Sequence, residues 1–298
     1  MNTKMTEQQK LVLKLAYCAG IGLVGKQRIL LVAEQLATTD FRVDELIQIA
    51  GLTKTKEVFR QSWQRLNDDY LQTLLVNQHY VTIFDSQYPA YLKQLAFPPQ
   101  VLFYEGHLAL LAHPKLLGFV GAREATNYAQ KVVQKLIPPL VDQNIVIVSG
   151  LARGVDQWSH RQTIAAGGQT IGVVACGLDN CYPRESFPVF SEMKQHHLVL
   201  SEYPYQTPPK KHHFPMRNRI IAGLSDGVCV IEAKERSGAL ITAQLAMEIG
   251  RDVFAVPGDI LSGQSEGCHQ LIQDGAICTT TLKNILNEVA FHRLVETC

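Results

Sequence analysis

From about Glu7 to Leu75, apolar residues recur at helical spacing: Leu11 and Leu15, then Ile29, Leu30, Val32, Ala33 and Leu36, then Leu46, Ile47, Ile49 and Ala50. Glycines at Gly20, Gly22, Gly25 and Gly51 punctuate the run, which predicts a bundle of four or five short helices. Between Val76 and Pro114 a proline every few residues excludes one long helix and predicts an irregular connector, packed as an extended collar on the next domain. From Lys115 the pattern changes. Short apolar runs at 116–122, 145–150, 170–177, 197–202, 227–233 and 252–258 alternate with helical stretches at 128–141, 156–166, 218–224 and 239–249. Buried strands alternating with helices predict a parallel sheet covered on both faces, a Rossmann-like α/β domain. Residues 275–294 predict one more short strand and a terminal helix. The expected division is a helical domain at 1–75 and a sheet domain at 76–298, with its core at about 115–281.

Composition narrows the class. Of 298 residues, 46% are hydrophobic and 18% charged, as in globular proteins, and no apolar run is long enough to span a bilayer. The start, MNTKMTEQQKLVLK, lacks the apolar core and cleavage site of a signal peptide, so a cytoplasmic location is expected. Seven cysteines without a C-x-x-C pair argue against a disulfide framework or a zinc site, and Cys176 and Cys229 sit in strand-like runs as core residues. A net charge of +1 means that any nucleic-acid binding must come from a local patch.

Such a patch exists. The stretch from Tyr203 to Ser225 contains no acid, and Lys210, Lys211, Arg217 and Arg219 fall within ten residues around Phe214. Cations along an extended segment suit a phosphate backbone, and an aromatic ring among them offers a base a stacking face. A solvated basic loop leading into a core helix fits the same residues.

Ligands of parallel sheets bind beyond the carboxyl ends of the strands. Arg123 follows the first strand there and can grip phosphate with two parallel hydrogen bonds. Ser149, Gly150 and Arg153 follow the second, in a glycine-rich turn that can aim amides at an anion. That turn matches neither G-x-G-x-x-G nor G-x-x-x-x-G-K-[ST], so a dinucleotide or P-loop reading fails. Ser237, Gly238 and Thr242 place hydroxyls and free amides at another helix start, which suits phosphate or plain helix capping. The Gly20-Ile21-Gly22 turn resembles a helix-hairpin-helix, whose amides can hold a phosphate, but an ordinary inter-helix turn is the better reading of it. His160 reads as a hydrogen-bonded helix histidine, and Glu202 and Glu232 as residues that orient arginines. No catalytic motif is present in the sequence, and no metal or cofactor is expected.

Seven segments, VGAREATNYA, SGLARGVDQWSH, GLDNCYP, LSEYP, FPMRNRIIAGLS, VIEAKERSGALITAQLA and AVPGD, stand in the order found in the DNA-processing protein A family (DprA, also called Smf). The resemblance covers about Asp85 to Thr279. It implies a Rossmann-like domain that binds single-stranded DNA as a homodimer, without being an enzyme, and helps load RecA recombinase during natural transformation. The arginine of the family's G-S-R motif falls on Arg123, with Ala122 in place of the serine. Its F-P-x-R-N-R motif and the preceding cation place Lys211, Phe214, Arg217, Asn218 and Arg219 in the site, and the cation after Tyr-Pro falls on Arg184. Trp158 and Ser159 stand where the family has small residues. The N-terminal helices resemble its sterile-alpha-motif-like (SAM-like) domain, and the winged-helix extension of some members is expected to be missing. Leu271, Ile272 and the terminal helix at 282–294 are the expected dimer contacts.

The runner-up is a nucleotide-processing hydrolase of a related Rossmann fold. Its P-G-G-x-G-T loop would fall at Pro257-Gly258, where Asp259-Ile260 follow instead. A protein scaffold would leave the acid-free basic stretch unexplained.

Overall fold

The structure is a computed structural model that describes residues 5–289 and Phe291. The chain divides into two compact units, Met1–Tyr88 with Ala96–Phe103, and Pro89–Leu95 with Tyr104–Cys298. The connector thus contributes residues to both.

The first unit holds five helices, α1 (Glu7–Tyr17), α2 (Leu23–Gln35), α3 (Val43–Ala50), α4 (Lys56–Arg65) and α5 (Asp68–Leu75), and strand β1 (His79–Thr82). Thr6 opens α1 with a reciprocal capping box to Gln9, and Gly51 closes α3 in the left-handed conformation at φ 67°. The apolar periodicity becomes one core around Leu11, Leu15, Ile29, Leu46 and Phe59. In the α1–α2 turn the Gly20 carbonyl accepts from Thr55 Oγ1 at 2.6 Å, and a Cβ on Gly20 would press on the Phe59 backbone. That turn is packed on the start of α4.

Strand β2 (Val101–Gly106) runs from the first unit into the second. The second unit contains α6 (Ala90–Lys93), β3 (Leu116–Val120), α7 (Asn127–Asp142), β4 (Val146–Ser149), α8 (Val155–Ala165), β5 (Thr170–Val174), α9 (Phe187–His196), β6 (Leu198–Ser201) and α10 (His213–Leu224). It continues with β7 (Gly227–Val230), α11 (Gly238–Glu248), β8 (Asp252–Ala255), α12 (Glu266–Gln273), β9 (Ile277–Cys278) and α13 (Leu282–Glu288). Strands β3 to β9 lie in the order β6-β5-β4-β3-β7-β8-β9, and every neighbouring pair is parallel. β3 to β7 are buried along their whole lengths, which is why they read as continuous apolar runs rather than alternating ones.

α7 is held on the sheet by Val133, Leu136, Ile137 and Leu140, packed with Phe119 and Phe254. It stays helical through Pro138 and Pro139, whose missing donors free the carbonyls of exposed Gln134 and Lys135 to water. Among the described residues no helix is long and apolar enough to cross a membrane.

The chain builds β3 to β6 outward in one direction and then returns to place β7 on the other side of β3. That reversal makes the β3–β7 border the topological switch point, where the loops after the two strands diverge and leave a crevice.

α10 is longer than the sequence pattern predicts. It begins at His213, because Pro215 sits in the first turn, where its missing N–H costs nothing, and because His213 is fixed from two sides. Its Nδ1 lies 3.1 Å from the Ala175 carbonyl, and its ring stacks on Tyr203 at 3.9 Å. Arg217 and Arg219 are therefore helical and buried, not strung along an extended loop. Leu271, expected at a dimer contact, is buried at 5% exposed, and Ile272 is half-buried. α13 is described as far as Glu288; the rest of the predicted 282–294 helix lies outside the described residues, apart from Val289 and Phe291.

Candidate nucleic-acid interface

A cleft of about 670 Å³ opens at the switch point. The loop after β3 supplies Arg123, the loop after β7 supplies Lys234, Arg236 and Ser237, and the segment leading into α10 and its first turn supply Lys211 and Phe214. The backbone beside Arg123 is pinned: Ala122 N donates to the Glu232 carbonyl at 2.7 Å, and its carbonyl accepts from Val155 N at 3.2 Å. Gly154 makes this close approach possible, since at φ 75° it carries no Cβ to collide with the Ala122 carbonyl. The Arg123 side chain is exposed, and its guanidinium carbon stands 5.1 Å from the centre of the Phe214 ring.

The four cations Arg123, Lys211, Lys234 and Arg236 are exposed and, among the described residues, have no hydrogen-bonding or ion-pair partner for their side chains. A near-neutral chain thus concentrates unpaired positive charge at one crevice.

Arg217 lines the same cleft but is only 6% exposed. Its Nη1 donates to the Val173 carbonyl and its Nε to Asn218 Oδ1 at 3.2 Å, and its Nη2 stands 4.0 Å from Asp156 Oδ2. Burial pushes the Asp156 carboxyl up to about 6, against the pull of Arg217, and the same burial lowers the Arg217 guanidinium. Gly150 lies against this pair, since a Cβ there would overlap both Arg217 Nη1 and Asp156 Oδ2. Arg217 is thus an internal anchor of the site. Asn218 donates from Nδ2 to the Gly238 carbonyl at 3.1 Å and so ties α10 to the start of α11.

At that helix start Ser237 Oγ accepts from Ala239 N at 3.3 Å. Thr242 lines the cleft while buried, and among the described residues its hydroxyl has no hydrogen-bond partner. The cleft therefore brings together Arg123, Lys211, Phe214, Arg217, Asn218, Ser237 and Thr242 of the residues singled out by sequence.

The others lie elsewhere. The Ser149 hydroxyl is buried and donates to the Phe119 carbonyl at 2.6 Å, so it presents nothing to a ligand. Gly150 and the glycine-rich turn serve close packing. Arg153 is exposed outside the cleft, and Arg184 lines a separate recess with Cys181 and Lys194. Arg219 is buried, and its Nη2 donates to both Glu202 oxygens at 2.6 and 2.5 Å, as the expected orienting role of Glu202 requires. Glu232 has a different task from the one expected: it accepts from Thr126 N and Oγ1 at 2.9 and 2.6 Å and so fixes the start of α7.

His160 is a hydrogen-bonded helix histidine, with Nδ1 at 2.7 Å from Thr170 Oγ1 and Nε2 at 2.5 Å from the Gly150 carbonyl. Burial pushes its pKa down to about 4, so it is neutral at pH 7. Lys234 and Arg236 escape a reading by sequence because Glu235 between them masks the charge, although their place after a strand end is the usual signal. Tyr182, whose ring lies 5.8 Å from that of Phe214, escapes it as part of a turn.

A parallel sheet with an aromatic-edged, cationic cleft at its switch point defines a Rossmann-like domain. The chain belongs to the DNA recombination-mediator protein A family, whose sequence model matches residues 79–290. It is 47% identical over 209 residues to the DNA processing protein DprA of Bacillus subtilis, covering 70% of each chain. The X-ray structure of DNA processing protein A from Streptococcus pneumoniae superposes with a TM-score of 0.86 at 40% identity, over 97% of this chain and 100% of that one. A Helicobacter pylori DNA processing protein A structure, described for its single-stranded DNA binding mode, matches with a TM-score of 0.64 at 32% identity, over 71% and 95% of the two chains.

Proposed function

We propose that the chain is a single-stranded DNA-binding recombination mediator and that the switch-point cleft is where the strand lies. The observation that carries this is the convergence of Arg123, Lys211, Lys234 and Arg236, all exposed and without hydrogen-bonding or ion-pair partners among the described residues, around the Phe214 ring. Cations without acidic partners favour a polyanion, and a ring among them favours unpaired bases, because duplex bases are already stacked on one another. Family membership and the DNA-binding relative support the same reading. The proposed reading is of binding without catalysis.

Arg123→Ala tests this reading. The side chain is exposed, so melting stays at the wild-type temperature, while single-strand affinity falls about tenfold through loss of a charged phosphate contact. Unchanged affinity in a gel-shift titration of this variant would contradict the reading. The homodimer and the RecA partner implied by the resemblance belong to the same proposal. Light scattering of the chain alone and with a RecA recombinase should give dimer and complex masses; a lone protomer mass in both samples would remove them.

A further inference from the structure

Phe214 is not a free stacking face. The Arg123 guanidinium lies 5.1 Å from its ring centre, and the Tyr182 ring lies 5.8 Å away at 59°. Two rings that receive a base between them must stand about 7 Å apart, twice the contact distance of roughly 3.5 Å between aromatic carbons. At 5.8 Å and so tilted, Phe214 and Tyr182 admit nothing between them, and each can offer only its outer side. Arg123 lies over the Phe214 ring, so a base stacks on that face only once the guanidinium moves to a phosphate. Tyr182 needs no such displacement: it is 51% exposed, it lines the cleft, and among the described residues its hydroxyl has no hydrogen-bond partner.

An exposed aromatic by itself is ordinary on a protein surface. This one touches the cleft's other aromatic and stands beside unpaired cations, which is the composition of a single-strand platform. Resting on the proposed single-strand function, we infer that Tyr182 is a second base-stacking residue, so that the cleft takes two bases of one strand, one on Tyr182 and one on Phe214. With 59° between the rings, bases resting on them are not parallel to each other, an arrangement open to a flexible single strand and closed to a stacked duplex.

The test measures binding of wild type, Tyr182→Leu, Tyr182→Phe and Arg123→Ala to an oligothymidine and to an abasic strand of equal length. Leucine keeps an apolar contact on Phe214 but has no ring face, so it guards against a simple packing defect. The expected result is a loss of roughly tenfold for Tyr182→Leu on the base-containing strand, near-wild-type binding for Tyr182→Phe, and no difference between Tyr182→Leu and wild type on the abasic strand. Wild-type affinity of Tyr182→Leu for oligothymidine, beside a weakened Arg123→Ala, would overturn the stacking role and leave the cleft's function standing. An equal loss on both strands would also overturn it, by showing that Tyr182 acts on the fold or the backbone rather than on a base. If Arg123→Ala binds both strands like wild type, the cleft itself is misassigned, and the inference falls with it.

Discussion

Replacing Arg217 with methionine is expected to destabilise the second unit by about 3–5 kcal/mol, because it leaves the buried Asp156 carboxyl without a cation and the Val173 carbonyl without its donor. For a unit of this size that corresponds to a drop in melting temperature of about 10 °C, readable by calorimetry. The deficit depends on pH. The Asp156 carboxyl titrates at about 6 in the folded protein against 3.8 for the free side chain, so the fold holds this proton more tightly than the unfolded chain does. The cost of ionising Asp156 in place is therefore absent well below pH 4, grows as pH rises through 6, and is constant above. Without Arg217 the folded value moves higher still. The variant's deficit should thus be larger at pH 8 than at pH 5, and a deficit that widens towards acid pH would refute the pairing.

Adding Asp156→Asn to Arg217→Met removes the stranded charge and should restore most of the stability. If Arg217 is an anchor, this double variant keeps most of its single-strand affinity, since the exposed cations remain. If the guanidinium itself grips phosphate, the variant folds but does not bind.

Phe214→Ala is expected to cost about 1–3 kcal/mol of single-strand affinity, roughly tenfold to a hundredfold, while leaving the salt dependence unchanged. Phe214 is half-buried and touches Arg123 and Tyr182; because Arg123 leaves the ring for a phosphate when a strand binds, the loss of Phe214 removes a stacking face and no phosphate contact. Phe214→Trp restores a larger face and should bind at least as well as wild type. A stable alanine variant with undiminished affinity would show that the ring is scaffolding. Parallel loss of melting temperature and affinity in both variants would show the same.

Much of the fold is legible in the sequence because burial on both faces leaves its mark there: β3, β4, β5, β6, β7 and β8 are apolar runs that end at polar turns, and the runs locate each to within a few residues. β1 and β2 are not visible in this way, since prolines and mixed polarity between Val76 and Pro114 hide two short strands. α9 is hidden as well.

The site is legible in part, and the failures share one cause. Sequence shows which residues are charged but not which charges are already satisfied. Arg217 and Arg219 look identical to Lys211 in a basic run, yet Asp156 and Glu202, distant in sequence, hold the two arginines inside the fold. Conversely Lys234 and Arg236 look neutralised by Glu235, yet are exposed and without side-chain partners among the described residues. Pro215 misleads in the same way, because a proline in the first turn of a helix reads as a break until the helix start is known.

The single-strand assignment stands or falls on a salt titration of wild-type affinity for a single-stranded oligonucleotide and for its duplex. With Arg123, Lys211, Lys234 and Arg236 each meeting one phosphate, log affinity against log salt should fall with a slope of about −3 for the single strand. The single strand should also bind more tightly than the duplex at every salt concentration. Equal affinity for the two forms, or a flat salt dependence, would contradict the assignment.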